Sequence, residues 1–401
     1  MELQPVAPDE VQDVLAALAA AFLKDVDEEE VALDARVIEP ERTLVGRDGG
    51  RIVASAAVLT RALTVPGGTL PVAAVSLVGV APSHRRRGLL GAMMRRQLAD
   101  VHDAGEAVAA LWASEASIYG RFGYGMAASQ ALLEVRTREA RLRPDLERAA
   151  AAPEIMLAAD ARERIAPVHE AVRARRPGML DRPGVWWDLR LHDPEHQREG
   201  AGRLRAAVLD DAGYVLYAYK EDWGAAGPAG ELRVRELVAA TSAAAAALWG
   251  FVLELDLVRR AGWHLAPADE PLPHMVDNPR AVSVRLGDGL WVRLVDLPRA
   301  LRGRAYSAPF EAVLEVADEI CPWNAGRHRL AWDGSRATCD PTGAEPDLEL
   351  SAAELGAAYL GGTTLESLAR AGRVRERTTG ALQAASVAFR GALEPWCPEI
   401  F

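Results

Sequence analysis

The chain has 401 residues, half of them hydrophobic, and a formal net charge of −11. That length calls for two or three cores, no apolar run reaches the ~18 residues of a membrane span, and the acidic balance speaks against nucleic acid as a partner. Residues Met1 to Pro5 show no basic segment leading into an apolar stretch, and the three widely spaced cysteines form neither a disulfide framework nor a zinc site, so a cytoplasmic setting is expected.

In chain order, Val11, Val14, Leu15, Leu18 and Phe22 recur at helical spacing and predict a helix over 9–24. The acidic run Asp25 to Glu30 reads as solvated. Asp48-Gly49-Gly50 and Pro66-Gly67-Gly68 mark turns between strand-like segments, and 71–81 reads as a buried strand. Leu89, Leu90, Met93, Met94, Leu98 and Val101 form one helical stripe over 88–102, and 107–113 is a second apolar strand. This strand–helix–strand order implies an α/β unit with neighbouring strands.

The composition changes after about Thr137. A helix over 163–173, strands over 214–220 and 232–238, and an alanine-rich helix over 242–255 follow. From about Val282 a third region begins, with strands over 290–295, 312–316 and 328–332 and helices over 298–302, 352–359, 365–371 and 380–389.

The most informative segment runs from Val75 to Gly91. A strand ends at Pro82, a turn carries Arg85, Arg86 and Arg87, and a helix opens at Gly88. The first amides of a helix lack intrahelical partners and, with the helix dipole, form an anion site. Glycine admits close backbone approach, and guanidinium groups add charge-assisted bonds. Three arginines alone would read as a surface cluster; in this context they fit a pyrophosphate. A literal match to the same short pattern, Gln197 to Gly202, precedes a strand rather than a helix and is set aside.

The segment from Val75 to Gly91 resembles the acetyl-CoA signature of the GNAT superfamily of N-acetyltransferases, Arg/Gln-x-x-Gly-x-Gly/Ala after a bulged strand. Arg85, Gly88 and Leu90 fall on it, with leucine replacing the last small residue. The resemblance implies backbone contacts to the pantetheine arm from Val78, Gly79 and Val80. It also implies a diphosphate held by Arg85, Arg86, Arg87, Gly88, Leu89, Leu90 and Gly91.

After the second strand comes Ser114-Glu115 and then Ile118-Tyr119-Gly120-Arg121-Phe122-Gly123-Tyr124-Gly125. By itself Tyr119 reads as a packed aromatic in a glycine-rich turn, although a phenol beside a thioester sulfur can act as an acid. The string is similar to that of the Eis (enhanced intracellular survival) family. So are Pro271 to His274, Asp288 to Arg293, Tyr359 to Gly362 and the terminal phenylalanine, so the resemblance spans essentially the whole chain. It implies an α+β fold of tandem GNAT domains followed by a sterol-carrier-protein-like domain, over 1–137, 138–285 and 286–401, the second without cofactor. It implies Tyr119 as general acid, Ser114 and Glu115 as further cofactor contacts, and the terminal carboxylate of Phe401 as general base. Family members assemble as homohexamers and acetylate small-molecule amines, aminoglycosides at several positions, and lysine side chains. The alternatives are a protein lysine acetyltransferase, or a lipid-binding protein with vestigial acetyl transfer.

An α-carboxyl titrates at about 3.3–3.7 and is a weak base in water; burial raises its pKa and a nearby ammonium opposes that. The end Pro395-Trp396-Cys397-Pro398-Glu399-Ile400-Phe401 is apolar and stiffened by two prolines, so a docked tail is expected. It departs from the family type in carrying Ile400, with Glu399 one step earlier, where an acidic residue precedes the terminal phenylalanine. The histidines show no metal-ligand spacing, and no metal is expected. Trp186 and Trp187 fit an aromatic pocket or, more often for such pairs, a domain core.

Overall fold

The computed structural model describes residues 3–401; Met1 and Glu2, at the start of the expected first domain and N-terminal segment, lie outside the described residues. The chain divides into two compact units. One contains the residues up to Ala128 together with Gly289–Ala392 and Ile400–Phe401; the other contains Ser129–Asp288 and Leu393–Glu399.

The first unit is built on a seven-stranded sheet. After the edge strand Leu3–Pro5 it runs through β1 (Thr43–Asp48), β2 (Arg51–Val65), β3 (Gly68–Val80), β4 (Val108–Trp112), β5 (Leu290–Leu294) and the short Gly125–Met126 strand. Strand β2 buries Val53 to Leu59 almost without a break, because helices cover both faces of the sheet. Helix α1 (Val11–Ala21) turns Val11, Val14 and Leu15 onto Val45. Helix α2 (Leu89–Asp103) turns Met94, Leu98 and Val101 onto Val58, Val75 and Ala109. Strands β3 and β4 run parallel, and α2 supplies the crossover that parallel strands require.

One feature extends the sequence reading and another departs from it. The acidic run continues into a helix, Glu28–Asp34, because Asp27 caps it by accepting the Glu30 amide at 2.9 Å and three glutamates face the positive end of its dipole. The Leu290–Leu294 strand, read as opening the third region, pairs instead with β4 from Leu290–Trp112 to Leu294–Val108. From Phe310 on, the chain forms a five-stranded sheet with Phe310–Ala317 at its centre and helices Ala352–Ala358 and Ala381–Phe389 beside it.

The second unit holds another seven-stranded sheet. Its parallel pair, Gly230–Ala239 and Val258–Pro267, is again joined by a helix, Ser242–Glu254, buried on most sides. Ser129–Arg136 also belongs to this sheet, pairing with Val258–Pro267 and Val282–Asp288, so the second sheet starts before the change in composition. Trp187 lies in the core against His169.

Candidate active site

The cleft of the first unit begins with a fault in β3. Ser55 pairs with Gly79, but the next pair is Ala57 with Ser76, so Leu77 and Val78 together oppose one residue of β2. This is a β-bulge, which bends a strand and increases its local twist. Leu77 takes φ +52°, a region that costs an ordinary side chain about 1–2 kcal/mol. Buried Ser55 donates its hydroxyl to the Leu77 carbonyl at 2.8 Å, which offsets part of that cost. Strands β3 and β4 pair at Ala73–Ala109 and Ala74–Ala110, and the pairing stops there although both strands run on. Residues Val78 to Val80 therefore line an opening between the strands. Gly79 lets α1 pack closely, since a Cβ there would stand 2.7 Å from Leu18 Cδ1 and the leucine would have to shift.

The turn between β3 and α2 is held from several sides. Buried His84 places Nε2 2.9 Å from Asp48 Oδ2 and Nδ1 2.9 Å from Ser83 Oγ. The His84 hydrogen bond, and then its charge, hold the Asp48 carboxyl below its usual range. Arg85 donates from Nη2 to the Ala21 carbonyl at 3.0 Å and from Nε to Val80 at 3.3 Å. Arg87 donates to the Ser83 carbonyl at 3.0 Å. Arg86 takes φ +63° and Gly88, the residue before α2, takes φ +81° with no side-chain cap. A Cβ built on Gly88 would meet nothing within 4 Å, so the approach to this helix start is open. The Ala92 amide makes the first bond of the helix, to the Gly88 carbonyl, and the earlier amides lack intrahelical partners. Open amides, a helix dipole and adjoining guanidinium groups fit a diphosphate.

Tyr119 ends the short helix Ala116–Tyr119 that follows β4. It is 5% exposed and meets Tyr124 edge-on at 6.0 Å. Burial, and then the nearby Glu115 carboxylate, raise its pKa, so the phenol is protonated at neutral pH. Two glycines of the Tyr119–Gly125 string are set by packing. At Gly123, φ is +81° and a Cβ would overlap the Arg293 guanidinium; at Gly125 it would overlap the Ala353 carbonyl. Arg293 is itself buried in an ion pair with Asp318, at 2.6 and 2.8 Å.

A cleft of about 670 Å³ joins these parts. It brings together Val78, Gly79, Val80, Arg85, Arg86, Gly88, Leu89, Leu90, Gly91, Ser114, Glu115 and Tyr119. Arg87 is not among the lining residues, and neither is Phe401, which is half-buried and groups with the first unit. Sequence reasoning missed Ala21 and Phe22 at the end of α1, and Arg95 and Arg121. Arg95 was findable: it stands one helical turn from Gly91, whose carbonyl it binds at 3.3 Å. The alternative pattern at Gln197 to Gly202 leads into the strand Arg205–Leu209, with no helix start to hold an anion.

Residues 2–127 and 178–294 each match a family described as acetyltransferase (GNAT) domain, and 297–398 match the sterol carrier protein domain. An N-acetyltransferase of Streptomyces avermitilis is 43% identical over 93% of this chain and 92% of its own. N-acetyltransferase Eis of Mycobacterium tuberculosis is 37% identical over the same shares. The crystal structure of Eis1 from Mycobacterium abscessus superposes over the full length of both chains with a TM-score of 0.89 at 34% identity.

Proposed function

Because the chain belongs to the Eis-type N-acetyltransferases of the GNAT superfamily, which depend on acetyl-CoA, we propose that it acetylates polycationic amines, aminoglycosides at several positions among them. Acetyl-CoA is the co-substrate and supplies the acetyl group as a thioester. The observation that carries this reading is that a protonated, buried phenol and an open helix start line one cleft.

In this reading the amides of Gly88 to Gly91, with Arg86, hold the diphosphate, and the edge of Val78 to Val80 takes the pantetheine amides. Arg85 and Arg87 flank the turn with their guanidinium groups on backbone carbonyls. Ser114 and Glu115 border the thioester end. Tyr119 gives its proton to the departing sulfur, and the Phe401 carboxylate takes a proton from the incoming ammonium. The substrate amine is cationic, which suits a chain of net charge −11.

We assign these roles to three functional regions: 1–137 for acetyl transfer, 138–285 as a GNAT fold without cofactor, and 286–401 as the sterol-carrier-like region supplying the terminal carboxylate. We further propose a homohexamer acting in the cytoplasm on small-molecule amines, not on nucleic acid and without a metal. Among the described residues, no helix is long and apolar enough to cross a membrane.

A thiol-release assay with acetyl-CoA against a panel of amines tests the reading. Turnover should be highest with polyamino sugars and absent with hydroxylated sugars that lack amino groups. Thiol release that does not depend on the amine would overturn it.

A further inference from the structure

Within the first unit, the chain from Gly289 on supports the Tyr119–Gly125 string from two directions. Strand β5 lies between β4 and the short Gly125–Met126 strand, with Val292 opposite both Ala110 and Gly125. The next residue, Arg293, is wholly buried. Its Nη2 donates to both carboxylate oxygens of Asp318, at 2.8 and 2.6 Å. Asp318 is buried too, and follows the central strand of the five-stranded sheet. From the other direction, helix Ala352–Ala358 meets the string so closely that neither Gly125 nor Gly356 has room for a Cβ.

The Asp318 carboxylate is itself held. It accepts the Cys321 amide at 2.9 Å and the Asn324 side-chain amide at 3.1 Å. Buried Asn324 also donates to the Leu294 and Val295 carbonyls, at 3.1 Å each, and accepts the Leu297 amide at 2.9 Å. One ion pair and one asparagine thus tie residues 318–324 to the end of β5. A buried pair gains little stability over apolar residues of like volume. What this one provides is a fixed place for the guanidinium.

That place is under the string. Gly123 rests on the Arg293 guanidinium with no room for a Cβ. Tyr124 is wholly buried, and its hydroxyl has no hydrogen-bond partner among the described residues, so packing alone sets the ring. Burial raises the Tyr124 pKa, and the Arg293 charge acts against that rise. The Tyr124 amide donates to the Tyr119 carbonyl at 3.3 Å, and its ring meets Tyr119 edge-on at 6.0 Å. The contacts therefore run from Asp318 to Arg293, from Arg293 to Gly123 and Tyr124, and from Tyr124 to the phenol in the cleft.

We propose that Arg293 and Asp318 are positioning residues for Tyr119, so that the region matched to sterol carrier proteins, which contributes Asp318, completes the acid side of the acetyl-transfer site. The inference rests on the reading of Tyr119 as the acid. Misplacing a reacting group by about 1 Å can cost on the order of 10²-fold in rate.

The test uses the full chain, acetyl-CoA and the best amine of the panel. Asp318→Asn keeps the side-chain shape and removes the charge; it is measured alone and in the Tyr119→Phe background. Alone it should lower kcat about tenfold or more and leave KM for acetyl-CoA within about twofold. In the Tyr119→Phe background it should cost less than about twofold further, because the group it positions is already gone. A general loss of structure would lower both backgrounds alike. Arg293→Met combined with Asp318→Leu removes both charges and fills the space with apolar groups, which keeps the chain folded should Asp318→Asn fail; it should give the same pattern. Equal losses in the two backgrounds, or full kcat in the doubly substituted chain, would overturn the inference. If Tyr119→Phe alone keeps the full rate, the acid reading itself falls, and the inference with it.

Discussion

The Ser55 hydroxyl lies 2.8 Å from the carbonyl of Leu77, the residue that carries the positive φ of the β3 bulge. One side chain on β2 thus holds open the edge on which a pantetheine arm would pair. A hydrogen bond of this kind is worth about 0.5–1.5 kcal/mol net. Ser55→Ala should therefore weaken acetyl-CoA binding by roughly two- to tenfold, read by calorimetry, with a smaller effect on kcat. Unchanged affinity would mean that the bulge persists without Ser55.

Tyr119→Phe removes the proton donor and keeps the ring. General-acid contributions are typically about 10²–10⁴-fold, so kcat should fall at least about 10²-fold with the acetyl-CoA dissociation constant little changed. Because burial, and then Glu115, raise the phenol pKa, Tyr119 ionises at higher pH than a free tyrosine, which titrates at about 10. No alkaline loss of rate below that pH should therefore trace to Tyr119. A full rate in the phenylalanine variant would return the side chain to packing.

The three arginines of the turn should separate experimentally. Arg86 lines the cleft, so Arg86→Met should weaken acetyl-CoA binding about tenfold, and less so at high salt. Arg85 joins the turn to the end of α1. Arg85→Met should therefore disturb the amine KM as well, because Ala21 and Phe22 form that wall of the cleft. Equal effects of the two substitutions on acetyl-CoA alone would refute this division.

Gly123→Ala forces a methyl group onto the Arg293 guanidinium at a positive φ. Overpacking costs about 1–3 kcal/mol, and the guanidinium cannot yield without leaving Asp318. Urea unfolding should show a loss at the upper end of that range.

His169 is buried, and desolvation, then the Arg182 charge, lower its pKa to about 4. The unfolded chain, with an ordinary value of about 6.5, binds the proton more readily. Stability should therefore be full above pH ~6.5 and fall as pH drops toward ~4, by about 3 kcal/mol at most from this group. His169→Gln should flatten that slope in urea titrations at successive pH values.

Much of this arrangement is legible in the residues themselves. The strand–helix–strand unit shows as two apolar runs around a helical stripe, and the anion cup as a glycine and arginines at the helix start. The bulge is not legible, because leucine gives no signal for a left-handed conformation and the serine that holds it lies 22 positions away. Nor is the engagement of Arg85 and Arg87, since a string of charges does not say which carbonyls its members will meet. Phe22 enters the cleft only through the packing of α1. Strand β5 has an ordinary strand pattern, and nothing in it names a partner near residue 110.

That insertion also sets an order of events during synthesis. The cleft-bearing sheet lacks β5 until residue 294 has left the ribosome, about 170 residues after Ala128, or on the order of ten to thirty seconds at about 5–20 residues per second. In that interval the nascent chain presents Val108–Trp112 as an unpaired apolar edge, the kind of surface that invites pairing with the wrong neighbour. A fragment ending at Ala128 would keep that edge permanently, so a soluble miniature of this catalyst has to graft the Leu290–Leu294 strand back on.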